Sequence, residues 1–151
     1  MRKTLSYDDV LLKPQYSDIT SRKEVDISTT LGPNLTLTLP IIASPMDTIS
    51  GFEMAQTISR MGGMAIIHRY MDVIEQCKIV TDIKNDGDTV VGAAIGTGDE
   101  AVIRAQALCA AGVDVLCVDV AHGHHQLVRK TLSILRPKVE AHGVHLSLIH
   151  I

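Results

Sequence analysis

Two kinds of chemistry are open to the segment Val115-Leu116-Cys117-Val118-Asp119-Val120-Ala121-His122-Gly123-His124-His125. An apolar run ends on a carboxylate, and a glycine-bearing turn rich in histidine comes next. A carboxylate closing so apolar a run must be paired or face solvent. At the carboxyl end of a buried parallel strand it faces a cleft. There Asp119 is suited to accept hydrogen bonds from the hydroxyls of a ribose. The rival chemistry is a metal site, because His122 and His124 form a His-x-His pair with His125 beside them. Hydrolysis at such a metal needs ligands from other strands, and His68 and Asp47 are the candidates. The plainer reading places the three histidines on the turn and first helical residues, as scaffold.

Three other segments end apolar strands in the same way: Ser44-Pro45-Met46-Asp47-Thr48, His68-Arg69-Tyr70 and Gly96-Thr97-Gly98-Asp99. Each has a structural alternative. Asp47 and Thr48 can cap a following helix, and Ser44-Pro45 can simply end a strand. His68 and Arg69 can lie as a partly buried pair under a loop. Gly96-Thr97-Gly98 is a tight turn by default and only weak evidence for phosphate binding.

The elements that must position these tips alternate regularly. Ile41 to Ser44 reads as a strand, followed by Phe52, Ala55, Ile58 and Met61 at helical spacing. Gly63 to His68 is the next strand, with Val73, Cys77 and Val80 on the next helix. Thr89 to Gly96 is the third, and Asp99 lies in the N-cap region of a helix carrying Val102, Ala105, Leu108 and Cys109. Asp114 to Val120 is the fourth, and Val128, Leu132, Leu135 and Val139 follow at helical spacing. Strand–helix units repeating at roughly 25 residues predict an α/β fold, the N-terminal half of a TIM (β/α)8 barrel. A complete barrel takes roughly 250 residues. A doubly wound sheet is the rival, but the first strand ends without a G-x-G-x-x-G turn. Residues 1–38 read as an N-terminal extension, with a turn at 29–34 and a half-exposed strand at 35–39. Residues 39–145 form the partial barrel.

Composition narrows the function classes. The chain has 151 residues, 46% hydrophobic and 3% aromatic, with a formal net charge of −3. Few aromatics and no long basic run argue against a nucleic-acid surface. Met1-Arg2-Lys3 is basic, but Asp8 and Asp9 arrive before any apolar stretch, so no secretory segment develops. No apolar run approaches a bilayer span, so no membrane partner is expected. Cys77, Cys109 and Cys117 lack metal-ligand spacing and read as reduced, buried thiols of a cytoplasmic protein.

Tyr7-Asp8-Asp9-Val10-Leu11-Leu12-Lys13-Pro14, Ser44-Pro45-Met46-Asp47-Thr48, Gly62 to His68, Val91 to Thr97 and the Asp119 segment together resemble the IMP dehydrogenase/GMP reductase family. The resemblance runs in order from about residue 5 to residue 144. It implies a purine-nucleotide oxidoreductase in which a barrel cysteine attacks purine C2 and a nicotinamide cofactor, NAD or NADP, exchanges hydride with that carbon. It implies that Ser44 and Met46 line the nucleotide site, and that Asp119, Val120 and Ala121 hold the nicotinamide-side ribose and ring. Thr97 and Gly98 would lie near the cofactor's adenosine half. A potassium-type monovalent cation and a homotetramer are implied for the whole protein.

Two departures accompany the resemblance. A typical IMP dehydrogenase carries a paired regulatory domain between the positions of Tyr70 and Val91, and here only a helix and short loop intervene. GMP reductases also lack it, and Asp119-Val120-Ala121 is similar to theirs. Ser44 to Asp47, Gly62-Gly63 and Ala121 to His124 are more like the dehydrogenase, which is therefore the expected reaction, oxidation of IMP to XMP. The catalytic cysteine of the family lies beyond strand five, so this chain is expected to lack the nucleophile and to be inactive alone. Its last six residues, Leu146-Ser147-Leu148-Ile149-His150-Ile151, match what the end of a common transposase sequencing adapter encodes. Residues 146–151 are therefore expected to be non-native, and the first and fourth strands to present open edges. A genuine coding sequence with a natural stop at Ile151 would contradict that expectation.

Overall fold

A computed structural model describes residues 3–87 and 89–150. Met1, Arg2 and Ile151, from the basic start and the terminal hexapeptide, lie outside the described residues. From residue 29 onward the order is β1 (Thr29–Gly32), β2 (Leu35–Leu37), β3 (Ile42–Ala43), α1 (Phe52–Arg60), β4 (Met64–Ile67), α2 (Val73–Lys84), β5 (Val91–Ile95), α3 (Asp99–Ala110), β6 (Val115–Val120), α4 (Gln126–Glu140) and β7 (His145–His150).

The middle strands are apolar at nearly every position because both of their faces are covered. Strands β3-β4-β5-β6-β7 lie side by side, all parallel, in a curled half-barrel sheet. Ala65, Ile67, Ala93, Ile95, Leu116 and Val118 face the helices, where Val80, Leu108 and Leu135 meet them. Met64, Ile66, Ala94, Val115 and Cys117 face the other way and pack on Leu35 and Leu37. The antiparallel β1–β2 hairpin therefore plugs the inner face through β2, whose Leu35 and Leu37 are buried. Residues 3–28 precede it with two short 3-10 turns, and every one of them is exposed.

The strand–helix alternation matches the sequence pattern, with local differences. The fourth barrel strand, β6, has no open edge, because β7 pairs with it in register from Val115–His145 to Val120–His150. The edges are β7 and β3, and β3 is only two residues long. Gly98, at φ +86°, caps α3, and Asp99 is its first residue.

Two polar clusters fasten the ends of the sheet. At the amino ends, Lys84 Nζ donates to Thr89 O at 2.7 Å and to both Asp114 carboxylate oxygens at 3.0 Å. Asp114 Oδ2 also accepts the Val91 N–H at 2.8 Å, so one carboxylate ties α2, β5 and the entry to β6. At the carboxyl ends, buried Gln76 and Arg104 reach the strand tips from the helix side.

Candidate functional site

Each strand tip is built by a different local device. After β3 the chain turns at once, with the Met46 N–H on Ser44 O at 2.8 Å and the Ser50 N–H on Met46 O at 2.8 Å. The buried Ser50 hydroxyl donates back to Ser44 O, closing the turn. Asp47 and Thr48 stay exposed in this turn and do not cap α1, whose N-cap is Gly51. The turn presents Ser44 and Met46 on its outside, and Met46 is 49% exposed.

After β4 come His68, Arg69 and Tyr70. Gln76 Nε2 lies 3.3 Å from Ile67 O, 3.2 Å from His68 O and 2.9 Å from Ala94 O, so one amide group touches the tips of β4 and β5. Arg104 donates to Gln76 Oε1 at 2.8 Å and to Met71 O at 3.2 Å from each terminal nitrogen. Its Nε bonds Glu100 Oε1 at 2.9 Å. Apolar spacing marks neither Gln76 nor Arg104, yet a signal is present. Arg104 sits among Ala101, Ala105 and Leu108 on the buried stripe of α3, and Gln76 falls between Val73 and Val80 on that of α2. A polar residue inside an apolar stripe needs a buried partner.

Asp119 lies on the inner face two residues after Cys117, and the residue is 7% exposed. Its charged neighbour is Arg69, with Nε 3.6 Å from Oδ2, an ion pair longer than a hydrogen bond. No hydrogen bond reaches the Asp119 carboxylate among the described residues, which leaves its acceptor capacity directed at the cleft. That cleft, of about 640 Å³, is lined by Ser44, Pro45, Met46, Asp47, Tyr70, Asp119 and Ile149. Its size is that of a small-molecule site. Three sequence candidates, Ser44, Met46 and Asp119, are thus brought to one cavity from the first and fourth barrel strands.

The remaining candidates lie elsewhere. Val120 packs towards the helix layer, and Ala121 is exposed beyond it. Thr97 and Gly98 are half-buried outside the cleft lining, and the Gly98 N–H is taken by Thr131 Oγ1 at 3.0 Å. His125 is the N-cap of α4, its Nδ1 accepting the Leu127 N–H at 3.1 Å, so it has a scaffold role. Among the described residues, no three His, Cys, Asp or Glu side chains come together to hold a metal ion. His122, His124, His68 and Asp47 form no such group among the described residues.

The cysteines take no part in the cleft lining. Cys117 is fully buried, and burial, with the Asp119 charge adding to it, pushes its thiol up to about 11. Cys77 and Cys109 are half-buried on helices, their thiols also raised by burial. None is a thiolate poised for attack. No helix among the described residues is long and apolar enough to cross a membrane.

Comparison with known proteins places the chain in a family. A family model described as IMP dehydrogenase / GMP reductase domain matches residues 4–146. An inosine-5'-monophosphate dehydrogenase of Cryptosporidium parvum is 34% identical over 91% of this chain and 44% of its own length. One from Nitrosopumilus maritimus is 41% identical over 60% of this chain and 19% of its own. A GMP reductase of Leishmania donovani is 49% identical over 53% of this chain and 16% of its own. The chain therefore spans less than half the length of these curated relatives. With a match across nearly all its residues and a half-barrel that gathers the family's strand-tip segments, the chain belongs to the IMP dehydrogenase/GMP reductase family.

Proposed function

We propose that this chain supplies the nucleotide-facing and cofactor-facing strand tips of an NAD-dependent enzyme that oxidises IMP to XMP. The observation that carries the reading is the shared cleft of Ser44, Met46 and Asp119. Ser44 and Met46 hold the purine nucleotide on the β3 side. Asp119, a buried carboxylate with no hydrogen bond of its own among the described residues, accepts the ribose hydroxyls of the nicotinamide half. Val120 and Ala121 support that half from behind, and Thr97 and Gly98 lie towards its adenosine end. When bound, the nicotinamide supplies the hydride acceptor. The chain's own residues bind and orient, and its three cysteines supply no nucleophile. The 151-residue chain therefore binds nucleotides without turning them over, and turnover belongs to the whole protein.

Calorimetric titration of this chain with IMP and with NAD+ tests the reading. Asp119→Ala should weaken NAD+ binding by at least roughly tenfold, the effect of losing hydrogen bonds to a charged acceptor. IMP binding should change by less than about twofold on the same scale. Equal losses for both ligands would refute the assignment.

A second reading, NADPH-dependent reductive deamination of GMP to IMP with release of ammonia, is favoured by one observation: only residues 85–90 connect α2 to β5, with no inserted module. Absorbance at 340 nm separates the two for the whole protein. The dehydrogenase gains absorbance with IMP and NAD+, whereas the reductase loses it with GMP and NADPH.

A further inference from the structure

The loop from β4 to α2 is fastened on both sides of its apex by side chains from other elements. Gln76 holds the carbonyls of Ile67 and His68 before the apex, at 3.3 and 3.2 Å. Arg104 holds the Met71 carbonyl after it, at 3.2 Å. The two clamps are joined to each other at 2.8 Å. Burying a guanidinium is costly in desolvation; this one is met by the side chains of Glu100 and Gln76 and by the Met71 carbonyl, the contact that fixes the far side of the loop.

Between the clamps stands Tyr70, which is 63% exposed and lines the cleft with Met46 and Asp119. An exposed aromatic ring ordinarily keeps rotamer freedom. This ring is restrained by the Arg69 guanidinium, 5.2 Å from its centroid. The His68 ring lies 6.3 Å away and 25° from parallel. A flat, restrained, solvent-facing ring on a rigid loop beside a carboxylate is a stacking surface for another flat ring.

We infer that Tyr70 is the stacking wall for the planar nitrogen heterocycle of the nucleotide bound in this cleft. The inference rests on the nucleotide reading above and deepens it by naming the contact that recognises the base. The heterocycle is the purine of the substrate or the ring of the cofactor, two sources of one chemistry.

Tyr70 is one of three tyrosines in a chain without tryptophan, so its emission can be isolated. In a Tyr7→Phe, Tyr16→Phe background, the remaining emission should fall saturably as IMP or NAD+ is added. The ligand that quenches identifies the ring. Ribose 5-phosphate, which has no base, should leave emission unchanged. Tyr70→Leu should weaken binding of the quenching nucleotide roughly tenfold, and Tyr70→Phe should restore it to within about twofold. Circular dichroism of each variant should superpose on that of the parent chain.

Tyr70→Leu binding IMP and NAD+ as tightly as the parent would overturn the inference, and so would equal weakening of ribose 5-phosphate. If Asp119→Ala still weakens NAD+ in that case, the nucleotide reading stands without the stacking contact. If the parent chain binds neither nucleotide, both fall together.

Discussion

Arg104 and Gln76 meet beneath the strand tips, a guanidinium N–H donating to an amide oxygen 2.8 Å away with both residues buried. Removing the guanidinium leaves Gln76 Oε1 and Met71 O without their donor in a dry site. Arg104→Met should therefore lower stability by about 3 kcal/mol in urea unfolding, despite its better match to an apolar stripe. Arg104→Lys should recover little of this, because one ammonium cannot reproduce the forked contact to both oxygens.

At the opposite end of the sheet, Asp114 accepts from Lys84 and from the Val91 amide. Asp114→Ala should cost about 2 kcal/mol by equilibrium unfolding, since it strands a strand-end N–H as well as an ammonium. The exposed Arg60–Asp86 pair, at 2.6 Å, is the control. Arg60→Ala should leave the urea midpoint unchanged within error, because solvent and salt screen such pairs.

Burial raises the Cys117 thiol to about 11. At pH 8 about a thousandth of it is thiolate, so alkylation of the folded chain should spare Cys117 and proceed only after denaturation. The same shift fixes a pH dependence. Below the ordinary thiol range both folded and unfolded states hold the proton, and this contribution to stability is complete. As pH rises from about 9 to about 11 the unfolded state loses the proton first, and on the order of 2 kcal/mol is lost. Cys117→Ser should flatten that part of the stability–pH curve.

Ser147 and Ile149 of β7 lie against the Cys117 thiol. A chain ending at His145 should expose that thiol and the edge of β6 together. Faster alkylation of Cys117 and concentration-dependent aggregation by light scattering are the expected outcomes. Unchanged Cys117 reactivity would show that β7 contributes no cover.

Gly62 has φ +88°, and a Cβ there would collide with the Thr38 hydroxyl. Gly62→Ala should lower stability by roughly 2 kcal/mol through backbone strain and displacement of the 38–41 segment. Thr38→Ala in the same chain should recover the steric part, measurable as a double-mutant cycle.

The half-barrel is legible in the sequence because its strands are buried on both faces and its helices on one. Runs such as Val115 to Val118 and spacings such as Val128, Leu132, Leu135 and Val139 therefore carry the pattern directly. The β1–β2 plug is half legible: alternation at 35–39 announces a strand, but not that Leu35 and Leu37 cover the inner face. Asp47 and Thr48 have capping chemistry and suggest a helix start, whereas backbone bonds among Ser44, Met46 and Ser50 set the course of the turn after β3. Ser44, Met46 and Asp119 stand out because strand tips are where barrels place chemistry. Tyr70 shares that tip position, but the clamp on its loop is hidden, because Arg104 comes from α3, distant in sequence. The pairing of β7 is written only in a short alternation, Leu146 and Leu148 against Ser147, which the unusual origin suggested by the hexapeptide obscures.

The clamp on the 68–71 loop grips carbonyl oxygens, which every amino acid supplies. The Arg69 and Tyr70 side chains take no part in that grip. Exchanging either should leave the loop standing where it does. Where the loop stands is thus set by its main chain, apart from the chemistry its apex displays.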